Sequence, residues 1–195
     1  MLEDSRMWKD AIVRFVVIAG IVTAFSRIVF GAAAFIPTMT AFEFFANSVT
    51  IAIAYAGFKA REARNGFAGL LVWYILLTGV LFSPIYLWSF IMEATYIIGL
   101  AAAAYFYLRV AETWFANKRI QRILAGTLCI GFTHAAIVIF LEFVSWRFIE
   151  HPSKAMAWSY MNLRNGVLIG ILSVSGMELA EYLLSLRKVE PKTVS

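Results

Sequence analysis

Long apolar runs are the feature of this sequence that most limits what it can fold into. Six of them are long enough to cross a hydrocarbon core of roughly 30 Å, which takes about 20 helical residues. Inside a lipid core every backbone amide needs a hydrogen-bond partner within its own segment, so each run is expected to be a helix. The predicted spans are 11–36, 40–59, 66–84, 85–109, 119–146 and 158–186.

Composition favours the same interpretation. Hydrophobic residues make up 62% of the 195 residues and charged residues 15%, against roughly 45 to 50% and about 25% in soluble domains. A soluble fold of this size has too small an interior to bury that much apolar surface. The single cysteine, Cys129, excludes an intrachain disulfide. The sequence therefore predicts an all-α, polytopic integral membrane bundle, with residues 1–195 as a single transmembrane domain of about six helices.

The placement of lysine and arginine predicts the orientation of the chain. Thirteen of the 17 basic residues fall on one side of the predicted spans. Basic residues near span ends are retained in the cytoplasm, so both termini are expected to be cytoplasmic, in a multi-pass protein of the plasma or inner membrane. Because these residues adjoin apolar runs and do not share one polar face, nucleic-acid binding is not expected. The thirteen are Arg6, Lys9, Arg14, Lys59, Arg61, Arg64, Arg109, Lys118, Arg119, Arg122, Arg187, Lys188 and Lys192.

Five charged side chains from five of the predicted spans lie at similar depths in the outer leaflet. Each costs on the order of 3 kcal/mol to insert, so each is expected to have a partner or a function. They are Arg27, Glu43, Glu93, Glu142 and Arg164.

Helical spacing places further polar residues on single faces of the spans. Glu93 lies between tyrosines that include Tyr96, and Asn47 shares a face with Glu43. Such faces favour an outward-facing pocket for a small molecule, although similar pairs also hold helices together in lipid. The candidate substrate-binding residues are Arg27, Glu43, Asn47, Glu93, Tyr96, Glu142 and Arg164. Two further faces carry Thr127, Gly131 and His134, and Asn162, Asn165, Ile169 and Ser173.

Two smaller groups of ionisable residues allow separate interpretations. His134, in the middle of the fifth span, has either a packing role or a role in a proton relay with Glu142. Glu178 and Glu181 lie one turn apart near the cytoplasmic end of the last span. These two carboxylates either pair with Arg109, Arg119 or Arg122 or dock a cytoplasmic partner, and we expect the pairing.

Small residues indicate close contacts between helices. Gly20 and Ala24 form a pair four residues apart in the first span, and Ala101–Ala104 give a smooth strip in the fourth. The neighbour at either face is another helix of this chain or another membrane subunit. The sequence contains no P-loop, zinc motif, serine-nucleophile elbow or dinucleotide glycine pattern. No cofactor, metal or catalytic residue is therefore implied, and ATP hydrolysis by the chain itself is not expected.

A chain of this length with six spans, both termini inside, a small-residue pair in its first span and polar groups toward the outside resembles a known family. That family is the substrate-binding S component of energy-coupling-factor vitamin transporters, and the resemblance covers the whole architecture. It implies a vitamin-like nutrient held in an outer pocket, with partner subunits that hydrolyse ATP. The family's first span carries an Ala-x-x-x-Ala contact, where this chain has Gly20 to Ala24.

Three functions remain open at this point. The leading hypothesis is a membrane-embedded transport subunit that binds a small polar or zwitterionic solute. The second is a non-catalytic structural subunit of a larger membrane complex. The third is an intramembrane enzyme or an ion or proton pathway using His134 and Glu142.

Overall fold

The part of the chain that the structure describes is almost entirely helical. The computed structural model describes residues 2–30, 37–59, 68–76, 87–115, 117–144 and 151–189. No strand occurs in these ranges, so the all-α prediction is confirmed. The helices are α1 Leu2–Phe30, α2 Pro37–Lys59, α3 Leu87–Trp114, α4 Arg119–Val144 and α5 Pro152–Val189. Residues 68–76 are helical as well.

The helix ends follow local chemistry and not the limits of the apolar runs. Both α2 and α5 begin at a proline, Pro37 and Pro152. A proline fits the first turn of a helix because the backbone N–H that it lacks would have no partner there. α1 begins at Leu2, ahead of the predicted start at 11, and α3 continues to Trp114, past the predicted end at 109. The helices thus extend beyond their apolar runs into polar sequence.

A tight turn joins α3 to α4. The backbone N–H of Lys118 donates to the carbonyl of Phe115 at 3.0 Å, and that of Arg122 donates to the carbonyl of Lys118 at 3.0 Å. The turn therefore reverses the chain within a few residues and makes α3 and α4 antiparallel neighbours.

The helices form one bundle around a shared core. α1 packs against α2 and α5, α4 packs against α3 and α5, and α2 packs against α3 and less extensively against α5. Each helix contributes to a single cluster of buried apolar side chains. Its members include Ile18, Ile51, Leu100, Ile130 and Ile169.

Glycines bring α4 and α5 into backbone contact. A Cβ atom built on Gly166 would lie 2.6 Å from the carbonyl oxygen of Gly131, and one on Gly170 would lie 2.7 Å from that of Thr127. No side chain fits between the helices at these points. Contacts of this kind, in which small residues let two backbones approach, are typical of helices packed in a membrane.

The outer surface of the bundle is apolar, whereas its interior contains polar side chains. On α4, Leu124, Leu128 and Phe132 are 55–59% exposed and lie four residues apart along one face. Contiguous exposed apolar surface of this kind marks contact with lipid or with another protein. Other exposed apolar residues include Ile12 and Val16 on α1, Trp73 in 68–76, Ile98 and Phe106 on α3, and Ile171 and Leu183 on α5.

Two helices among the described residues are long and apolar enough to cross a membrane. They are Arg119–Phe140 and Pro152–Arg187, and Ile97–Val110 is a shorter apolar helix. These segments coincide with the fifth, sixth and fourth predicted spans. On length and composition, α4 and α5 therefore support the membrane prediction.

Candidate functional site

Polar side chains meet inside the bundle at two levels. At one end, where α1 begins and α5 ends, Arg14, Tyr55, Arg119, Arg122, Glu178 and Glu181 form what we call the ionic cluster. Further along the bundle lie the interior polar side chains, all of them buried. These are Asn47, Ser48, Thr50, Thr127, His134, Asn162, Asn165 and Ser173.

Glu181 connects three helices in the ionic cluster. Arg14, on α1, donates to it from Nε at 2.7 Å and from Nη2 at 3.2 Å. The hydroxyl of Tyr55, on α2, donates to Oε1 at 3.1 Å. The two-pronged geometry of a guanidinium on a carboxylate is the strongest form of such a pair. It joins α1 and α2 to α5.

Glu178, one turn earlier on α5, connects α4 and the α3–α4 turn in the same way. Arg122 donates from Nε at 2.7 Å and from Nη2 at 2.8 Å, so it holds both carboxylate oxygens. A third N–H of Arg122 donates to the carbonyl of Phe115 at 3.2 Å. Arg119 approaches the same carboxylate more loosely, with its Nε 3.5 Å from Oε2.

The structure confirms the predicted pairing of Glu178, whereas the cations predicted for Glu181 were wrong, because Glu181 pairs with Arg14 instead. Two of the three predicted cations, Arg119 and Arg122, pair with Glu178. The third, Arg109, donates from Nε to the hydroxyl of Tyr105 on its own helix at 3.1 Å. The missed partner is Arg14, whose place inside an apolar run was the available signal, because a cation there needs a counter-ion.

Three interior polar side chains have atoms without a hydrogen-bond partner in the described part of the chain. These atoms are Nδ2 of Asn47, Nδ2 of Asn162 and Oγ of Ser173. By contrast, the hydroxyl of Thr127 donates to the carbonyl of Ile123 at 2.7 Å, as buried hydroxyls on helices often do. Leaving a buried polar atom unpaired costs about 1–3 kcal/mol. Such atoms are therefore candidate contacts for a ligand or for ordered water.

Asn47 and Ser173 lie at the same level of the bundle. Two contacts show how α1 and α5 are oriented. Arg14 contacts Glu181, and Ile18, four residues later on α1, lies against Gly176, five residues earlier on α5. α1 and α5 are thus antiparallel, and α2, which returns alongside α1, runs parallel to α5. Asn47 precedes Tyr55 by eight residues, and Ser173 precedes Glu181 by eight. With a rise of 1.5 Å per residue, both lie roughly 12 Å from the ionic cluster.

His134 packs against α5 further toward the opposite end. A Cβ atom built on Gly166 would lie 2.9 Å from the Cδ2 atom of His134, so the imidazole occupies the space that the glycine leaves. The neighbouring Asn165 is fully buried. This position agrees with a packing role for His134. The predicted relay partner, Glu142, has a side chain outside the described residues.

Two of the seven candidate substrate-binding residues have described side chains. Asn47 is buried, with 1% of its surface exposed. Arg164 is exposed and donates from Nη2 to Oδ1 of Asn165 at 3.2 Å. The inward orientation predicted for the stripe Asn162, Asn165, Ile169 and Ser173 is confirmed. The side chains of the other five candidates lie outside the described residues: Arg27, Glu43, Glu93, Tyr96 and Glu142.

The two small-residue faces differ in their surroundings. Ala101, Ala103 and Ala104 are buried within the bundle. Gly20 and Ala24 are exposed, and a Cβ atom on Gly20 would meet nothing within 4 Å. The face on α1 is therefore the one that remains accessible to another subunit.

Removing the hydroxyl of Tyr55 tests how firmly the ionic cluster holds α2. We expect Tyr55→Phe to lower the free energy of unfolding by roughly 1 to 2 kcal/mol, because a hydrogen bond to a charged carboxylate is lost while the ring still packs. Equilibrium unfolding in mixed detergent measures this change. Tyr160→Phe is the matched control, since Tyr160 is exposed on α5 and should leave stability unchanged. Equal effects of the two variants would contradict the assignment.

Comparison with known proteins found no matching family model, no matching curated protein and no matching solved structure.

Proposed function

We propose that this protein is a multi-pass membrane subunit with six spans that binds a small polar solute inside its helix bundle. The proposal depends above all on the unpaired interior atoms, Nδ2 of Asn47, Nδ2 of Asn162 and Oγ of Ser173. It places the ionic cluster at the cytoplasmic end, and it makes the chain a transport subunit of the plasma or inner membrane.

The distribution of apolar surface supports the membrane placement beyond α4 and α5. Ile12 and Val16 on α1 and Phe106 on α3 are more than half exposed, as expected of side chains that face lipid. Polar groups such as Asn47 and Ser173 are buried instead. In water, this arrangement would expose apolar surface on α1, α3, α4 and α5 and at the same time bury polar atoms that have no partner among the described residues. In lipid, only the second feature remains costly.

The unpaired atoms support solute binding because polar groups inside a membrane bundle are expensive to keep. An alanine or leucine at these positions would avoid the cost of about 1–3 kcal/mol per unpaired group. The amide nitrogens of Asn47 and Asn162 are donors, so the solute they suit presents acceptors such as a carboxylate or carbonyl oxygen. Asn162 lies near the start of α5, at the end away from the ionic cluster, which suits entry from outside.

The architecture that resembles an S component leads to the same proposal. A subunit of that type would capture a vitamin-like nutrient and depend on partner subunits for ATP hydrolysis. The unpaired interior atoms would then be joined by the other predicted contacts, Arg27, Glu43, Glu93, Tyr96 and Glu142. Arg164, which is exposed, would contribute only from the rim of the site.

Ligand-dependent stabilisation of the purified full chain tests the proposal. We expect at least one member of a library of vitamins, amino acids and small carboxylates to raise the melting temperature in detergent. Asn47→Leu should abolish that rise, because the leucine keeps the volume and removes the donor. Gln121→Leu, which replaces an exposed amide on α4, should leave it intact. A library without any stabilising member would refute solute binding, and so would a rise that survives both Asn47→Leu and Ser173→Ala.

A second function is favoured by the exposed face that contains Gly20 and Ala24. In a non-catalytic subunit of a larger membrane complex, this face would contact a helix of another subunit, as small-residue pairs do. Gly20→Leu should then release a partner that co-purifies with the wild-type chain in mild detergent. Retention of every partner by this variant would count against the second function.

A further inference from the structure

A surplus of positive charge lies at the turn between α3 and α4. Arg122 already holds both oxygens of Glu178, at 2.7 and 2.8 Å. Arg119 shares that carboxylate with a single Nε contact at 3.5 Å, and its side chain is 59% exposed. Lys118, next to it, is exposed too. Among the described side chains here, Arg119 and Arg122 share one carboxylate, and Lys118 adds a third positive charge.

Hydrogen bonds to the carbonyl of Phe115 tie Lys118 and Arg122 to the end of α3. The carbonyl of Phe115 accepts from the backbone N–H of Lys118 at 3.0 Å and from Nη1 of Arg122 at 3.2 Å. Trp114, the last residue of α3, is 75% exposed. An exposed indole beside basic side chains is typical of the level of lipid headgroups.

An apolar stripe begins directly after the cations and runs along α4. Ile120, Leu124, Leu128 and Phe132 are 55–74% exposed and lie four residues apart. The stripe offers a surface for an acyl chain, and Lys118 and Arg119 lie at its starting end.

We propose that Lys118 and Arg119 bind the phosphate of an anionic phospholipid whose acyl chain lies along the α4 stripe. A phospholipid matches both the cations and the apolar stripe, because its headgroup is anionic and its acyl chain is apolar. A soluble anion would contact the cations alone. Basic sites of this kind on the cytoplasmic side of membrane helices bind anionic headgroups. The inference depends on the membrane placement in the proposed function but not on solute binding.

Lipid binding to the purified full chain tests the inference. We expect phosphatidylglycerol to give adducts in native mass spectrometry and to raise the melting temperature, and phosphatidylcholine to do neither at the same concentration. The double variant Lys118→Gln with Arg119→Gln should weaken phosphatidylglycerol binding by about 30-fold, given the contribution of each cation near an anionic surface. Lys154→Gln, which removes an exposed cation at the start of α5, should not change it.

The other outcomes are also decisive. Lys118→Arg with Arg119→Lys keeps both charges and should keep binding, which separates charge recognition from a folding defect. Equal binding of the two lipids, or wild-type binding by the double glutamine variant, would overturn the inference. Displacement of the lipid by millimolar inorganic phosphate would overturn the lipid assignment, because the site would then recognise the anion alone. A chain that fails to insert into vesicles would instead refute the membrane placement.

Discussion

Glu178→Gln should lower the free energy of unfolding by about 3 kcal/mol, because it leaves a guanidinium without its counter-ion in a poorly hydrated site. The Glu178 and Arg122 side chains are only 14% and 22% exposed. Glutamine keeps the size of the side chain, so the loss reports on charge and not on packing. Arg122→Gln should lower the free energy of unfolding by a similar amount, since it removes the main counter-ion of the carboxylate. Unfolding in mixed detergent, followed by circular dichroism, measures both.

Two controls separate this ion pair from its surroundings. Arg119→Gln removes a cation from the same carboxylate but should cost at most about 1 kcal/mol, because that pair is exposed and long. The double variant Glu178→Leu with Arg122→Leu should be more stable than either single glutamine variant, because an apolar pair leaves no charge unpaired. If Arg119→Gln were as damaging as Glu178→Gln, the assignment of the pair to Arg122 would be wrong.

Gly166→Ala should lower the free energy of unfolding by about 3 kcal/mol, the upper part of the range for overpacking. The new Cβ would lie 2.6 Å from the carbonyl oxygen of Gly131 and 2.9 Å from Cδ2 of His134. Backbone on the facing helix cannot rotate away, so α4 and α5 would have to separate. The melting temperature and the unfolding free energy in detergent measure this loss.

Gly20→Ala provides the comparison. A Cβ atom there meets nothing within 4 Å, and alanine favours the helix over glycine by up to about 1 kcal/mol. We therefore expect an unchanged or slightly more stable protein. Loss of stability in both alanine variants would point to a general intolerance of glycine replacement and would count against the α4–α5 contact.

Several features of the site could be predicted from the sequence because they depend on one helix at a time. The stripe from Asn162 to Ser173 was predicted from the helical period alone, and its side chains face inward as expected. The pairing of Glu178 with Arg119 and Arg122 could be predicted because an unpaired carboxylate in an apolar run is energetically costly and therefore needs a nearby cation. In each case the decisive physics is local or depends only on the surrounding solvent.

Other features depend on how one helix is aligned with another. Arg14 reaches Glu181 because Ile18 lies against Gly176 one turn away, and no pattern within either helix specifies that alignment. The glycine contact between Gly131 and Gly166 likewise arises where two helices cross. The exposure of Gly20 compared with the burial of Ala104 separates two small-residue faces that look equivalent in the sequence.

The amino-acid sequence alone thus determined that the chain is helical, which faces of several helices are polar and that Glu178 needs a cation. The hydrophobic period and the free-energy cost of an unpaired charge are both properties of a single segment, so both can be inferred from the sequence. Only the tertiary structure decided which helices meet, which guanidinium pairs with which carboxylate and which interior polar atoms lack a partner among the described residues. Those outcomes depend on the axial alignment of packed helices, which is set by the combined fit of side chains from all of them.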